Sequence, residues 1–441
     1  MTTNSKKNRR HVIVGAGSAG LNAARTIRAR GCADEVVLVS AERPYSRMVL
    51  PYVLQGRITE ARTITATPDE LEALGVEARL GERAARLDTA SRRLHLEGGD
   101  ELEFDTLLIA TGSSPHPPPV QGAALGRGFW TAEDCRELGR GLAAGTRVTL
   151  VGAGFIGFTL LEPLLARGAE ITVVEEEPRV LPRMMDQDGA DMAARWLERR
   201  GVRVLTSRRL EQITAENDDG PRRLHLDGGQ TLEADKVVLA TGIRPNLDWL
   251  EGSGVRVEQG VVVDSRLQSS VEGVFAAGDV AQVSSGTGES RVMATEPAAR
   301  DQGRVAGANM AGAEAVYRAS PLMNIVSLGG LEAASFGHWQ DQVPGSPPAS
   351  SETIIHSRPG EFSYRRYSLR EGRLAGALFL APSAETWSTN DLGMIGGLVA
   401  SGVDISEWVG FLKRRPLEIN KPFLACGALP ELLPRTVLPG T

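Results

Sequence analysis

The sequence predicts an α/β protein in which one structural plan occurs twice, followed by a smaller α+β unit. Glycine is enriched: 50 of the 441 residues are glycine, about 11% against a usual ~7%, which suits a fold with many tight turns between strands and helices. Two segments share the spacing Gly-x-Gly-x-x-Gly, and residues 93–112 closely match residues 223–242. An internal repeat of this kind predicts two copies of one unit.

Each copy carries its glycines between an apolar run and a helical stretch, and a second apolar run follows the helix. These segments are residues 11–14, 21–30 and 36–39 around Gly15, Gly17 and Gly20, and residues 148–151, 158–167 and 171–174 around Gly152, Gly154 and Gly157. In such a turn the first glycine allows a tight bend, the second lets the backbone approach a pyrophosphate, and the third lets helix and strand pack closely. Free N–H groups at the start of the helix then face the anion. The pattern predicts two Rossmann-like dinucleotide-binding units, and two glycine-rich turns without a ligand are the alternative.

The repeated stretch gives each copy the same later elements. It has the pattern of a strand, a Gly-Gly turn, a second strand and then a buried strand. The two buried strands end in the same tripeptide, at Ala110, Thr111 and Gly112 and at Ala240, Thr241 and Gly242. The shared order of elements supports two dinucleotide-binding units in tandem.

The end of the second strand indicates which nucleotide each unit binds. Glu175 ends the strand 171–175, and its carboxylate can accept hydrogen bonds from the ribose 2′-hydroxyl of NADH. The same charge would repel the 2′-phosphate of NADPH, so we expect NADH to be preferred, with a solvated strand-end charge as the alternative. In the first unit the matching position is Ser40, and Glu42 is the candidate for the adenosine ribose of the other dinucleotide.

Composition and charge argue against several classes of protein. A net charge of −6 and a pI near 5.7 argue against nucleic acid as the main partner. The three cysteines lie far apart, and neither they nor the six histidines show a metal-ligand spacing, so we expect no disulfide framework and no metal. No run of about 18 apolar residues occurs, so no membrane span is expected. The basic residues 6–10 indicate a disordered tail rather than an export signal, and a cytoplasmic protein is expected.

Residues 273–279, Gly-Val-Phe-Ala-Ala-Gly-Asp, complete the pattern of a known family. With the two glycine spacings and the two Ala-Thr-Gly ends, they resemble the FAD-dependent pyridine nucleotide–disulfide oxidoreductases over residues 11 to about 380. Within that family the chain is similar to rubredoxin and ferredoxin reductases and to the reductase half of nitrite reductases. It is also similar to the NADH-coupling FAD subunits of aldehyde or phenylglyoxylate oxidoreductase complexes.

The resemblance implies which residues contact each cofactor. Asp279 would accept hydrogen bonds from the ribityl chain of FAD, and capping of its own turn is the alternative role. The helical stretch beginning near Glu296 would direct its amino terminus at the flavin, where the helix dipole favours the negative charge of the reduced ring. The residues implied for FAD are Gly15, Gly17, Ser18, Ala19, Gly20, Glu42, Arg47, Ala110, Thr111, Gly112, Gly278, Asp279, Glu296, Pro297 and Ala298. Those implied for NAD are Gly152, Gly154, Phe155, Ile156, Gly157, Glu175, Ala240, Thr241 and Gly242.

The chain departs from the family pattern at two places. Met48 stands where a redox cysteine would precede Leu-Pro-Tyr, and a thioether cannot form the thiolate or sulfenic acid of disulfide chemistry. The segment instead resembles the Pro-Tyr-x-Arg of rubredoxin reductases, which implies that Tyr45 and Arg47 lie near the flavin; a core tyrosine and a surface arginine are the alternative. The lysine and glutamate that pair near the flavin in many relatives are both missing, because residues 8–235 contain no lysine and Thr159 replaces the glutamate.

The resemblance also implies the domain organisation. An FAD-binding domain made of residues 9–125 and 250–318 would be interrupted by an NAD-binding domain, residues 126–249, and followed by a C-terminal interface domain with a helical extension, residues 319–441. Strands are expected around 354–355, 364–369 and 374–379, and a helical pattern covers 391–412. The extension adds apolar and aromatic residues that could dock a partner, form a homodimer or pack on the core of the chain. They are Trp387, Trp408, Phe411, Phe423, Leu432 and Leu433.

These observations predict an FAD-dependent NADH oxidoreductase. It would exchange hydride between nicotinamide and flavin, and electrons with an iron–sulfur protein or partner subunit, because the chain has no cysteine cluster of its own for iron–sulfur. An NADH oxidase that uses oxygen is the alternative among enzymes. A flavoprotein that only senses NADH is the alternative outside them.

Overall fold

The computed structural model describes residues 9–217, 220–284, 290–319, 321–340, 352–384 and 386–427, with the side chains of 386–389 left out. Several predictions fall outside the described residues: residues 6–8 of the basic tail, Leu432, Leu433 and the side chain of Trp387. The proline-rich residues 344–351, for which the sequence indicates a loop, also lie outside them. Within the described ranges, no helix is long and apolar enough to cross a membrane.

The first glycine pattern lies in a five-stranded parallel sheet. From edge to edge its strands are Val274–Ala276, Thr106–Ile109, Arg10–Val14, Glu35–Ser40 and Val76–Leu80. The central strands are buried on both faces, which explains why they are apolar runs without alternation. The strand from residues 274–276 joins a sheet whose other strands end at residue 109, so the chain leaves this unit and returns to it.

Helices and a small antiparallel sheet surround this first sheet. The helices on this sheet are Ser18–Ala29, Pro68–Ala73 and Glu296–Met310. The chain also has 3-10 turns at Arg47–Val49 and Glu60–Thr63 and the helix Leu50–Gln55, whose Leu50 and Leu54 pack in the core of the second unit. The antiparallel strands are Ala84–Asp88, Arg93–Leu96 and Glu101–Glu103. The last two of these strands and Thr106–Ile109 are the elements predicted from the first copy of the repeat.

The second glycine pattern lies in a four-stranded parallel sheet. Its strands are Arg203–Leu205, Glu170–Val174, Arg147–Val151 and Lys236–Leu239 in spatial order. Its antiparallel companion contains Leu210–Ala215, Arg222–Leu226 and Thr231–Ala234, and its helices are Ala132–Gly139, Phe155–Thr159, Leu161–Ala166 and Gln187–Arg199, with 3-10 turns at Ala123–Leu125 and Asp227–Gly229. The order of elements repeats that of the first unit, so the predicted α/β fold with two Rossmann-like units is confirmed.

The helix after the second glycine pattern differs from the expected one. The sequence predicted a continuous helix over residues 158–167, whereas the structure has Phe155–Thr159 and Leu161–Ala166 with a break at Leu160. Pro163 lacks the N–H that would bond to the carbonyl group of Thr159, which accounts for the break. The helix also begins earlier than predicted, directly after Gly154, as its counterpart Ser18–Ala29 does after Gly17.

Two short strands join the units. Ser113–Pro115 and Ile243–Pro245 pair antiparallel, at the two points where the chain passes between the parallel sheets. The remaining pieces near the first sheet are strands Val261–Val262, Ala281–Ser284 and Ser290–Val292 and the 3-10 turn Asp248–Leu250. We retain the predicted boundaries near residues 125 and 250, which come shortly after these two strands in the chain, as a proposal.

The C-terminal part is a five-stranded antiparallel sheet with helices on one face. Its strands in spatial order are Met323–Ser327, Leu331–Gly337, Arg373–Pro382, Ser363–Arg370 and Glu352–Arg358, and its helices are Thr386–Ser401, Ser406–Arg414 and Asn420–Ala425. Side chains alternate along Arg373–Pro382: Leu378 and Leu380 pack with the second unit, whereas Ala377 and Phe379 pack under the helices. One face therefore shares the core of the second unit.

The helical extension packs on the core of its own chain. Phe423 is buried, and the rings of Trp408 and Phe411 are in edge contact at 5.5 Å and pack against the same cluster. A buried ion pair of 3.5 Å joins Arg365 of the sheet to Asp391 of the first helix. Core packing thus accounts for Trp408, Phe411 and Phe423, and a docking role is not needed to explain these three residues.

Candidate dinucleotide-binding sites

In the first glycine turn, two of the three glycines pack against backbone atoms and the third has free space beside it. A Cβ atom on Gly15, whose φ is +115°, would lie 2.1 Å from the carbonyl oxygen of Ala110, and one on Gly20 would lie 1.8 Å from that of Gly15. A Cβ atom on Gly17 would meet no protein atom within 4 Å. Glycine is thus required by packing at the outer two positions, and the middle one faces free space, as a turn that receives a pyrophosphate requires.

The second glycine turn repeats this geometry. A Cβ atom on Gly152, whose φ is +100°, would lie 2.5 Å from the carbonyl oxygen of Ala240, and one on Gly157 would lie 2.7 Å from that of Gly152. Gly154 faces free space. In both units the backbone carbonyl group of the alanine of Ala-Thr-Gly therefore lies against the first glycine, which explains why that position has no side chain.

The threonines of the two Ala-Thr-Gly ends bond to the segments that join the units. The Thr111 hydroxyl donates to the carbonyl oxygen of Asn246 at 3.1 Å, and the Thr241 hydroxyl donates to that of His116 at 2.7 Å. Gly112 and Gly242 follow with positive φ angles of +66° and +129°. These residues therefore shape the crossing between the units, and their predicted cofactor contacts stay predictions.

The helix Glu296–Met310 lies against the first glycine turn. Ser18 Oγ donates to Glu296 Oε1 at 2.7 Å, across 278 residues of sequence, and Ala19 lies beside Gly278. Pro297 occupies the first turn of this helix, and Ala298 is buried. The residues implied for FAD from opposite ends of the chain thus meet at one place.

Two glycines that the sequence analysis did not single out make this contact possible. A Cβ atom on Gly303 would lie 2.2 Å from the carbonyl oxygen of Ala19, and one on Gly307 would lie 2.5 Å from that of Ala23. The helices Ser18–Ala29 and Glu296–Met310 therefore cross with their backbones in direct contact. The spacing Gly-x-x-x-Gly at 303 and 307 was the available signal for this close approach.

Asp279 lies at the end of the edge strand of the first sheet, beside Ser113. The Ser113 hydroxyl donates to Asp279 Oδ2 at 2.8 Å, and Trp130 Nε1 donates to the carbonyl oxygen of Ser113 at 2.8 Å. Burial raises the pKa of Asp279, while the Ser113 hydrogen bond and the charge of Arg47 act in the opposite direction. A carboxylate in this position gains from hydroxyl donors such as those of a ribityl chain.

Glu42 and Arg47 form an ion pair with each other. The guanidinium of Arg47 donates to Glu42 Oε2 and, at 3.0 Å, to the carbonyl oxygen of Trp130, and it lies over the rings of Tyr45 and Trp130. The Tyr45 hydroxyl donates to Glu42 Oε1 at 2.9 Å, and burial raises the pKa of Tyr45 to about 12. Glu42 is therefore held by two side chains of its own segment, which the sequence spacing did not indicate. Its predicted contact with a ribose would use the remaining acceptor capacity of the carboxylate.

Glu175 is fixed to the second glycine turn by backbone hydrogen bonds. The Ala153 N–H donates to Glu175 Oε2 at 2.6 Å, and the Glu177 N–H donates to Oε1 at 2.9 Å. The residue is only 7% exposed, so it is not the solvated strand-end charge considered as the alternative. Its charge lies against the middle of the turn, where it can accept from ribose hydroxyls and oppose a phosphate.

The side chains that replace the family's redox and ion-pair residues are inert. Met48 is 55% exposed on the 3-10 turn Arg47–Val49. Thr159 donates its hydroxyl to the carbonyl oxygen of Ile156 at 2.7 Å, so it is satisfied within its own helical turn. Phe155 and Ile156, both half-buried, form the start of that helix.

The geometry of both turns and the residues around them fit FAD and NAD(H). Each turn leaves the face of its middle glycine free, and each begins a helix there. The half-buried Asp279 and the buried Glu175 lie where hydroxyl groups of a nucleotide can donate to their carboxylates. Two such units and a third antiparallel domain define a flavoprotein oxidoreductase that uses both FAD and NAD(H). The chain belongs to the pyridine nucleotide-disulphide oxidoreductase family, whose model matches residues 9–303.

The chain is similar to several individual proteins with names of their own. It is 32% identical over 344 residues to a protein named NADH oxidase from Methanocaldococcus jannaschii, covering 74% of this chain and 76% of that one. It is 29% identical to the NADH-dependent phenylglyoxylate dehydrogenase subunit epsilon of Aromatoleum evansii, covering 94% of this chain and 97% of that one. Among solved structures, a ferredoxin reductase from Rhodopseudomonas palustris matches with a TM-score of 0.77 and 25% identity, covering 86% of this chain and 93% of that one.

Proposed function

We propose that the protein takes hydride from NADH and passes electrons to an iron–sulfur protein or partner subunit. The first glycine turn, with Asp279 and Glu296, would hold FAD, and the second, with Glu175, would hold NADH. FAD supplies, when bound, the ring that accepts hydride from the nicotinamide. Hydride transfer between stacked rings needs no acid or base, so the contribution of the chain is to hold the two nucleotides in register.

The observation that carries this proposal is that Met48 stands at the position where a redox cysteine would be expected. The three cysteines of the chain are poorly suited to that chemistry. Burial raises the pKa of the Cys135 thiol to about 11, and burial also raises the pKa of Cys32 and of Cys426. Because disulfide and persulfide chemistry needs a thiolate, reduction of a disulfide, a persulfide or coenzyme A disulfide is disfavoured.

An outside acceptor is the remaining route for the electrons. The Aromatoleum relative, which this chain covers almost end to end, is by name a subunit of an NADH-dependent dehydrogenase. The Rhodopseudomonas structure is by name a ferredoxin reductase. The first name supports an acceptor within a multi-subunit complex, and the second supports electron exchange with a ferredoxin as a free protein. The cytoplasm is the location that we propose for either arrangement. A homodimer is compatible with either arrangement.

Direct reduction of oxygen is the second candidate, and the name of the Methanocaldococcus relative favours it. Met48 weighs against a cysteine-assisted mechanism, because a thioether cannot form a sulfenic acid. A direct reaction of oxygen at the flavin would not need a cysteine. The rate of reoxidation in air therefore decides between the two candidates.

The test is a stopped-flow experiment in two stages on the FAD-loaded protein. Anaerobic mixing with NADH should bleach the flavin within the turnover time of a typical oxidoreductase, about 0.1 s at a kcat of ~10 per second. The reduced protein is then mixed with air-saturated buffer or with oxidised ferredoxin. Fast reoxidation by ferredoxin and slow reoxidation by air supports the proposal.

The other outcomes each point to one alternative. Reoxidation by air at the rate of turnover identifies an NADH oxidase. Failure of NADH to bleach the flavin, while NADH still binds, identifies a protein that only senses NADH. The Gly154→Val variant serves as the control, because it should block bleaching by NADH and leave reduction by dithionite unchanged.

A further inference from the structure

Three side chains with metal-ligating atoms meet at the amino-terminal ends of two inner strands of the first sheet, away from the first glycine turn. His11 lies in strand Arg10–Val14, while Cys32 and Asp34 lie in the turn between helix Ser18–Ala29 and strand Glu35–Ser40. His11 is near the start of its strand and Gly15 follows the end of the same strand. The cluster therefore lies at the amino-terminal end of this strand, whereas the first glycine turn follows its carboxyl end.

The distances between the ligating atoms match those of a tetrahedral metal site. Cys32 Sγ lies 3.8 Å from His11 Nε2 and 3.4 Å from Asp34 Oδ2, and His11 Nε2 lies 3.3 Å from Asp34 Oδ2. Zn²⁺ bonds of about 2.3 Å to sulfur and about 2.0 Å to nitrogen and oxygen, at tetrahedral angles, give edges of roughly 3.5, 3.5 and 3.3 Å. The three edges agree with these values to within a few tenths of an ångström, so an ion could enter with little movement of the chain.

Neighbouring groups hold the three ligands in place. His11 Nδ1 lies 2.7 Å from the Thr106 hydroxyl, which fixes the ring and leaves Nε2 directed at the cluster. Arg28 Nη1 donates to the carbonyl oxygens of Cys32 and Asp34, at 2.8 and 2.7 Å, and thereby shapes the turn. The backbone N–H of Arg9 donates to Asp34 Oδ1, which leaves Oδ2 for the cluster.

We propose that His11 Nε2, Cys32 Sγ and Asp34 Oδ2 bind one divalent transition-metal ion of the Zn²⁺ class, with water as the fourth ligand. Imidazole, thiolate and carboxylate together suit Zn²⁺ and not Mg²⁺ or Ca²⁺, which take oxygen ligands. The Cys32 thiol gives up its proton to solvent when the ion binds, and no redox step is involved. The ion would tie the first strand to the turn that leads into the second strand, so its role is structural.

The burial of the cluster is consistent with such a site. His11 is fully buried, so the fold fixes the position of its ring beside the other two ligands. Cys32 is half-buried and the Asp34 side chain is 29% exposed, so an ion reaches the cluster from solvent between them. The amino-acid sequence predicts no metal, because the three residues share no ligand spacing and only the fold brings them together.

The test uses the FAD-loaded full-length protein, made metal-free by dialysis against a chelator. After addition of one equivalent of Zn²⁺ and gel filtration, elemental analysis should find about one zinc per chain. After the same treatment with Mg²⁺, it should find no bound magnesium. Cys32→Ser and Asp34→Asn should each weaken zinc binding on the order of 100-fold, because loss of a ligand costs at least as much as loss of a supporting group. Cys426→Ser is the matched control, since Cys426 is also half-buried but lies outside the cluster.

A second measurement does not depend on the variants folding. Zinc should slow alkylation of Cys32 in the wild-type protein at least about tenfold, as read by mass spectrometry, because a ligated thiolate is shielded, and Cys426 should be alkylated at the same rate as before. Zinc that fails to stay bound overturns the proposal. So does zinc that stays bound equally in Cys32→Ser and Asp34→Asn, or that leaves alkylation of Cys32 unchanged; a hydrogen-bonded cluster without a ligand is then the correct interpretation.

Discussion

The hydroxyl of Ser18 donates a 2.7 Å hydrogen bond to the carboxylate of Glu296, joining two residues that are 278 positions apart in the chain. Ser18 begins the helix after the first glycine turn, and Glu296 begins the helix that crosses it. Because both helices start at this point, their amino-terminal N–H groups and dipoles converge on one region. The discontinuous first unit is closed here, at the place proposed for FAD.

Substitution of the middle glycine in each turn should distinguish the turn that binds FAD from the turn that binds NADH. Gly17→Val adds bulk where the backbone must approach a pyrophosphate, so the purified protein should lose its FAD. Gly154→Val should retain FAD, measured by absorbance of the released flavin, but should no longer be bleached by NADH. The two variants are matched controls, because each new side chain projects into free space and disturbs no protein contact within 4 Å of its Cβ. Loss of FAD from both, or from neither, would contradict the assignment of the turns.

Asp279→Asn should bind FAD less tightly without destabilising the apoprotein. Burial raises the pKa of Asp279, so the folded state holds the proton more tightly than the unfolded chain and stability falls as pH rises from about 3.8 through the raised folded value. At pH 7 the ionised carboxylate is therefore a cost to the apoprotein, which the neutral amide removes. FAD affinity should fall roughly tenfold to 100-fold, as expected for hydrogen bonds to a charged acceptor.

Two measurements check this prediction. Thermal unfolding of the apoproteins should show an equal or higher midpoint for the variant at pH 7, and a smaller difference near pH 4. Fluorescence titration with FAD gives the affinities. A variant that binds FAD like the wild type would leave Asp279 with only the role of capping its turn.

The sequence predicted the features that depend on neighbours in the chain. The glycine turns, the repeated hairpins and the strands around them are local patterns, and Pro163 already carried the signal for the broken helix. It did not predict features that need two distant segments, such as the hydrogen bond from Ser18 to Glu296 or the contact of Gly303 with Ala19. The sequence also could not show that the helical extension packs on the core of its own chain. The hydrophobic period of a helix shows that one face is apolar, but it does not show which surface that face covers.

Gly303→Ala should destabilise the protein although alanine is the better helix former. The new Cβ atom would lie 2.2 Å from the carbonyl oxygen of Ala19, a backbone atom that can yield only if the helices separate. We expect a loss of about 1–3 kcal/mol in the free energy of unfolding, as for overpacked cores. Gly393→Ala is the matched control, because Gly393 is an exposed helical glycine whose Cβ would meet nothing within 4 Å. It should stabilise by roughly 0.5–1 kcal/mol.

Urea denaturation of the two apoprotein variants measures the free energy of unfolding, which should fall for Gly303→Ala and rise for Gly393→Ala. FAD affinity should fall for Gly303→Ala, since the helix carrying Glu296 would shift, and should not change for Gly393→Ala. Equal effects of the two substitutions would show that the helices do not cross as closely as the structure indicates.

Glu175→Gln should shift the cofactor preference from NADH toward NADPH. A carboxylate held against the second glycine turn by the Ala153 N–H lies where the 2′-phosphate of NADPH would come close. Two unit charges 4 Å apart repel by about 4 kcal/mol at an effective dielectric of 20. If solvent screening removes more than half of that, about 1.4 kcal/mol remains, which is a tenfold preference.

The ratio of kcat/KM for NADPH to that for NADH, measured with a dye acceptor, should therefore rise about tenfold in Glu175→Gln. Glu176→Gln is the control, because Glu176 is exposed and its charge is screened by water. The amide of Glu175→Gln has one acceptor for two N–H groups, so a loss of stability of about 1–3 kcal/mol should accompany the change in preference. An unchanged ratio, or an equal change in the control, would mean that Glu175 only supports the turn and that the discrimination between the two nucleotides arises elsewhere.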